Sequence, residues 1–152
     1  AYATAIRESD WIYPVLQVVH ILGFCLTVGS VALTDLRVLG LGSSVPIAAT
    51  ARFMLPIAWL GFALVVFAGV HMTLGFIDVF AVNVVLGLKL FLIALAGVNA
   101  LLFHHRFARN LDAWDAGDAI APAARISACV SIGLWATVIT LGKLLAYVSG
   151  KD

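Results

Sequence analysis

Four long apolar runs, each ended by a short polar break, constrain this chain more than any other feature. They lie near residues 11–36, 52–77, 82–107 and 125–149. Each exceeds the roughly 20 residues a helix needs to cross the hydrocarbon core of a bilayer. Lipid offers the backbone no hydrogen-bond partners, so runs of this length are read as α-helices. Gly40, Gly42, Ser43, Ser44 and Pro46 mark the first break, residues 78–80 the second, and the polar stretch 110–122 the third. Hydrophobic residues make up 63% of the 152 and charged residues 11%, a balance that belongs to membrane proteins. The chain therefore reads as all-α: one integral membrane domain, an up-and-down four-helix bundle whose first partner is the lipid bilayer. The segment AYATAIRESD before the first run predicts a short interfacial helix, with Ile6 and Trp11 facing the lipid. No apolar stretch ending in a cleavage site precedes it, so insertion is expected to rely on the first span itself.

Basic residues set the expected orientation. Arg37 and Arg52 flank the first loop, and Arg106, Arg109 and Arg125 flank the third. The opposite side carries Arg7 and Lys151. The positive-inside rule then puts both termini outside, which means periplasmic for a multi-pass protein of a bacterial inner membrane. A net charge of +1 removes any bulk electrostatic case for nucleic acid. Cys25 and Cys129 fall inside apolar runs without a CxxC pair and read as small core residues. No hydrolytic triad, phosphate loop or dinucleotide fingerprint is present; Gly40-Leu41-Gly42 reads as a loop.

Each apolar run nevertheless holds one basic side chain well away from its ends: His20, His71, Lys89 and Lys143. A lysine at the centre of a membrane costs roughly 3 kcal/mol on insertion scales, so such groups are functional candidates. Counted from the expected boundaries at about 1.5 Å per residue, all four lie in the outer leaflet. Spacing also groups them by face. His20 recurs with Gln17, Gly23, Thr27, Ser30, Thr34 and Arg37; His71 with Gly61, Ala68 and Gly75; Lys89 with Ala96 and Ala100. Lys143 falls with Cys129, Gly133, Ala136, Thr140 and Tyr147. Small-residue faces of this kind suit the interior of a bundle. His104 is about 60° round the third helix from Lys89, whereas His105 points nearly the opposite way, towards the headgroups.

Two histidines on different helices at one depth can clamp haem iron from both sides, and two lysines can meet its propionates. His20 and His71 as axial ligands of one haem b, with Lys89 and Lys143 towards the propionates, would use every member of the group. Packing remains open as an alternative: the histidines as interhelical hydrogen-bond glue, the lysines snorkelling to the interface. Copper is the weaker reading, since Met54 and Met72 are the only thioethers and no carboxylate is near. On the inner side, His104 can hold a second haem, bind a quinone or lipid headgroup, or close the bundle by pairing with Asp35. Asp35 and Arg37 are expected to cap and anchor the first helix.

The stretches AIRESDWIYPVLQVVHILGF, VGSVALTDLRVLGLG and LKLFLIALAGVNALLFHH resemble a family of small bacterial four-helix membrane proteins of uncharacterised function. More remotely, a first-helix histidine and a third-helix lysine resemble the copper-resistance D and HemJ-type protoporphyrinogen oxidase group. There that pair is associated with haem b, which on this chain maps to His20 and Lys89. The resemblance implies a four-helix, haem-compatible scaffold. The expected function is that of a b-type cytochrome-like protein or haem-bearing subunit, passing electrons between a quinone pool and a periplasmic partner. The alternatives are a non-redox accessory subunit packed against other membrane chains, and a HemJ-like tetrapyrrole oxidase.

Overall fold

In the computed structural model, which describes residues 2–81 and 83–149, the chain is helical nearly throughout. A short helix α1 (Tyr2–Glu8) precedes the long α2 (Ile12–Val38) and α3 (Ile47–Gly75). A four-residue turn of helix, α4 (Ile77–Phe80), leads into α5 (Val84–Phe107). A 3₁₀ turn (Ala108–Asn110), the short α6 (Leu111–Asp115) and the long α7 (Pro122–Ser149) follow. The four long helices are each long and apolar enough to span a membrane. Of the residues singled out above, Val82 and Lys151 lie outside the described residues, as does the side chain of Tyr147.

Helix ends follow local chemistry. Asn83 caps α5, its Oδ1 accepting from the backbone of Val85 (3.0 Å) and Leu86 (3.1 Å). Pro122 opens α7, where its missing N–H costs nothing. α3 starts five residues earlier than the sequence suggests because its cap is remote. Asp115, at the end of α6, accepts from the backbone N–H of Ile47 (2.6 Å) and Ala48 (2.9 Å). Gly40 and Gly42 make the α2–α3 turn at φ +106 and +65, a region that favours glycine.

Neighbouring spans pack in the ring order α3, α2, α7, α5. The closest pair is α2 and α3. A Cβ on Gly23 would stand 2.7 Å from the Gly61 carbonyl oxygen, and one on Gly61 would stand 2.6 Å from that of Gly23. This is backbone-to-backbone contact, the approach that small residues permit in membranes. α5 and α7 are joined by a reciprocal pair: Asn99 donates to the Ser127 carbonyl (3.1 Å) and Ser127 donates to Asn99 Oδ1 (2.9 Å). The fourth side of the ring is different. Among the described residues, α3 and α5 touch at most sparingly.

The two ends are closed differently. At one end Val38, Ile47, Trp114, Ala124 and Ala128 form a buried plug beneath α6, with Phe103 and Phe107 against it. At the other, α1 docks by inserting Ile6 (3% exposed) against Gly75, beside Leu16 and Ala68. Ile6 thus faces the bundle and not the lipid, because Gly75 leaves a notch that fits it. Trp11 remains outward, 78% exposed. Arg7 ties α1 down through the Gly75 carbonyl and the Asp78 carboxylate, and its guanidinium lies 5.4 Å from the Phe76 ring centre.

Several faces read from spacing are corrected by the packing. Cys25 and Cys129 are exposed and not core residues. The small-residue stripe of α7, from Cys129 through Gly133, Ala136 and Thr140 to Lys143, is likewise on the outside. The buried face of α7 is Ala124, Ala128, Ser131 and Val138. In lipid the outer face of a helix is as apolar as the inner one, so small side chains mark a contact only where a partner helix arrives.

Candidate functional site

A cavity of about 480 Å³ lies between α2, α3 and α5, with Trp135 of α7 at its back. Ligand pockets in proteins run from roughly 300 to 1,000 Å³. The α3 residues along its wall run from Phe62 to Leu74, a height of about 18 Å at the helical rise per residue. Nearly all of the lining is apolar. The polar groups are His20 and Thr27 from α2, Thr73 from α3 and Lys89 from α5.

His20 is seated by its neighbours. Its Nδ1–H donates to the Val65 carbonyl oxygen at 3.2 Å; a carbonyl only accepts, so the proton is on Nδ1. Nε2 is left as the nitrogen with a free lone pair. A Cβ on Gly69 would stand 3.2 Å from Cε1 and 3.4 Å from Nδ1, so Gly69 supplies the space in which the ring lies. Across the cavity, the Lys89 ammonium lies close to Gly142 of α7: a Cβ there would be 3.6 Å from Nζ. Lys89 and His20 line the same cavity, from α5 and α2. Phe24 and Trp135 meet edge to face at 6.3 Å, closing the wall between α2 and α7.

The other sequence candidates do not join this pair. His71 lies about 160° round α3 from Gly69 and Thr73, on the side turned to α1. Its Nδ1–H donates to the Phe67 carbonyl at 2.7 Å, and its ring packs on Phe67 (4.4 Å between centroids) and Tyr2 (6.2 Å). Lys143 is exposed, one position past the Gly142 that faces Lys89. His104 and His105 are exposed at the far end of α5 and do not line the cavity. Asp35 faces Ser131 of α7 and not His104 or Arg37. Arg37 instead reaches the carbonyls of Val45 and Ser43 and lies 3.9 Å from Asp115. A residue that spacing undervalued is Met72, which lines the cavity while also packing against the Ile6 cluster.

Fold and site together define the class: an all-helical protein of four membrane-length helices, with a basic, otherwise apolar cavity among three of them. Comparison with known proteins adds no family, since no family model matches the chain and neither does any curated protein or solved structure.

Proposed function

We propose that the cavity binds haem b or a closely related tetrapyrrole, whose iron His20 Nε2 would ligate and whose propionate Lys89 would partner. The observation that carries this reading is the seating of His20. A ligating imidazole characteristically donates its other N–H to a carbonyl or carboxylate, which fixes tautomer and ring orientation. The Val65 carbonyl does this here, and Gly69 leaves the ring its place. The residues fit the group on three counts: a neutral imidazole with a free nitrogen, a cation for an acid, and tall apolar walls. Haem would supply one-electron chemistry; the chain would supply ligation, insulation from water and a charge that tunes the potential. The reading uses one histidine, since His71 lies on the opposite side of α3 from the cavity, its ring against Phe67 and Tyr2. On this basis the protein is a haem-bearing membrane subunit that passes electrons between a quinone pool and a partner protein.

Membranes containing the protein are expected to give a positive pyridine haemochrome assay. His20→Ala should lose the signal, and His71→Ala should keep it. A colourless, folded wild type purified from haem-replete cells sinks the proposal. A second reading, oxidation of a tetrapyrrole substrate, is favoured by one fact. His20 and Lys89, the pair carried over from the HemJ-type group, line one cavity. Complementation of a strain lacking protoporphyrinogen oxidase tests it, and failure at normal expression rejects it.

A further inference from the structure

The cavity borders the α3–α5 side of the ring. Its lining comes from both α3 and α5, yet these helices scarcely touch, so the ring of spans has one open side at the cavity's own level. The residues along that side are both lining and exposed: Val66 (45%) and Val70 (50%) from α3, and Leu90 (57%) from α5. On α3 the side turned to α2 carries Ala58, Gly61 and Ala68, whereas Val66 and Val70 look away from it. On α5 the side turned to α7 carries Ala96 and Asn99, and Leu90 looks away from that. The opposite wall is closed by Phe24 on Trp135. These three rim residues are aliphatic, so water gains nothing by crossing them and a lipid-dissolved molecule loses nothing.

We propose that the α3–α5 gap is a lateral portal. It admits from the bilayer a largely apolar molecule carrying a carboxylate, which passes Val66, Val70 and Leu90 and ends with the acid at Lys89. The proposal rests on the cavity being a ligand site but not on haem being the ligand. Lys89 selects for the acid: a cation in an apolar wall is stabilised by a charge-assisted hydrogen bond to a carboxylate. Neutral lipids of the same shape leave it unpaired and bind less well.

The test uses the full chain in lipid nanodiscs and a brominated fatty acid as probe, with quenching of Trp135 as the readout. The difference between wild type and Trp135→Phe isolates that residue from the other tryptophans. Quenching of Trp135 by the brominated acid should exceed that by aqueous iodide. Val70→Phe with Leu90→Phe should slow its onset about tenfold when the probe is added in vesicles, and Lys89→Gln should weaken its final extent. The matching brominated alcohol should quench less than the acid in wild type and equally in Lys89→Gln. Stronger quenching by iodide, or an onset unchanged by the rim variant, overturns the portal. Haemin uptake, read from its absorption in the same discs, is scored separately. Probe quenching without haemin uptake rejects the haem reading and leaves the portal standing.

Discussion

Asp35 shows what a single residue must do when lipid removes the option of water. It is 9% exposed near the end of α2, faces Ser131 of α7, and its Oδ2 has no partner among the described residues. An orphaned buried carboxylate oxygen carries a desolvation cost that becomes smaller when the group is exchanged for a neutral amide of like shape. Asp35→Asn keeps an acceptor for Ser131 and is expected to be at least as stable as wild type in detergent unfolding titrations. Asp35→Ala strands the Ser131 hydroxyl and should cost about 1–3 kcal/mol. A marked loss in Asp35→Asn would show that the carboxyl itself is needed, which returns Asp35 to the list of functional groups. The same scale shows what could be read from sequence. His20 and Lys89 were legible as intramembrane bases, because their rarity in apolar runs needs no structure to notice. Which of the four bases shared a cavity was not legible. His71 and His20 have the same chemistry and similar depth, and only the seat under Gly69 and the side turned to α1 tell them apart.

Helix existence was plain in the sequence, and helix faces were less so. α2 and α3 carry their small residues towards each other, at Gly23 and Gly61. Gly23→Ala or Gly61→Ala should lower stability by about 1–3 kcal/mol, since the new methyl meets backbone that cannot move aside. Gly29→Ala and Gly97→Ala, with nothing within 4 Å, should be nearly silent in the same unfolding titration. Equal losses at all four sites would refute the close α2–α3 approach. In α7 the same small residues point outward, because the helix is recruited by Asp35, by the Trp114 plug and by Asn99 instead. The docking of α1 makes a pH-dependent prediction. The Arg7 guanidinium beside Asp78 holds its carboxyl below the usual carboxylate range. A depressed acid contributes stability that is present above its unfolded value, about 4, and is lost as pH falls through the folded one. Amide protection within Tyr2–Glu8, taken relative to the intrinsic exchange rate at each pH, should therefore fall below about pH 4 in wild type and be low, without that pH step, in Asp78→Asn.

At the scale of the whole molecule, the fold is a ring of four spans closed on three sides, plugged at one end by α6 and capped at the other by α1. Four spans put the start of α2 and the end of α7 on one side of the membrane, and the charge pattern gives an expected side. Arg37, Arg52, Arg106, Arg109 and Arg125 all lie at the α6 end. Two of them are already engaged there, Arg37 at Asp115 and Arg52 in a 2.8 Å ion pair with Asp112. Those acids do not weaken the orientation signal, because the bias counts lysine and arginine and not net charge. We therefore expect the α6 end to face the cytoplasm, with the cavity in the outer half of the bilayer. His20 lies about 12 Å from the start of α2, and Lys89 about 8 Å from the start of α5. A ligand held there would stand nearer to a partner outside the cell membrane than to one in the cytoplasm. An alkaline phosphatase fused to the C-terminus should be active in intact cells, and a green fluorescent protein at the same point should stay dark. Fluorescence there would invert the molecule and place the cavity on the cytoplasmic side. The portal would be unaffected, since it opens to lipid and belongs to neither surface. The electron partner would then have to be sought on the other side.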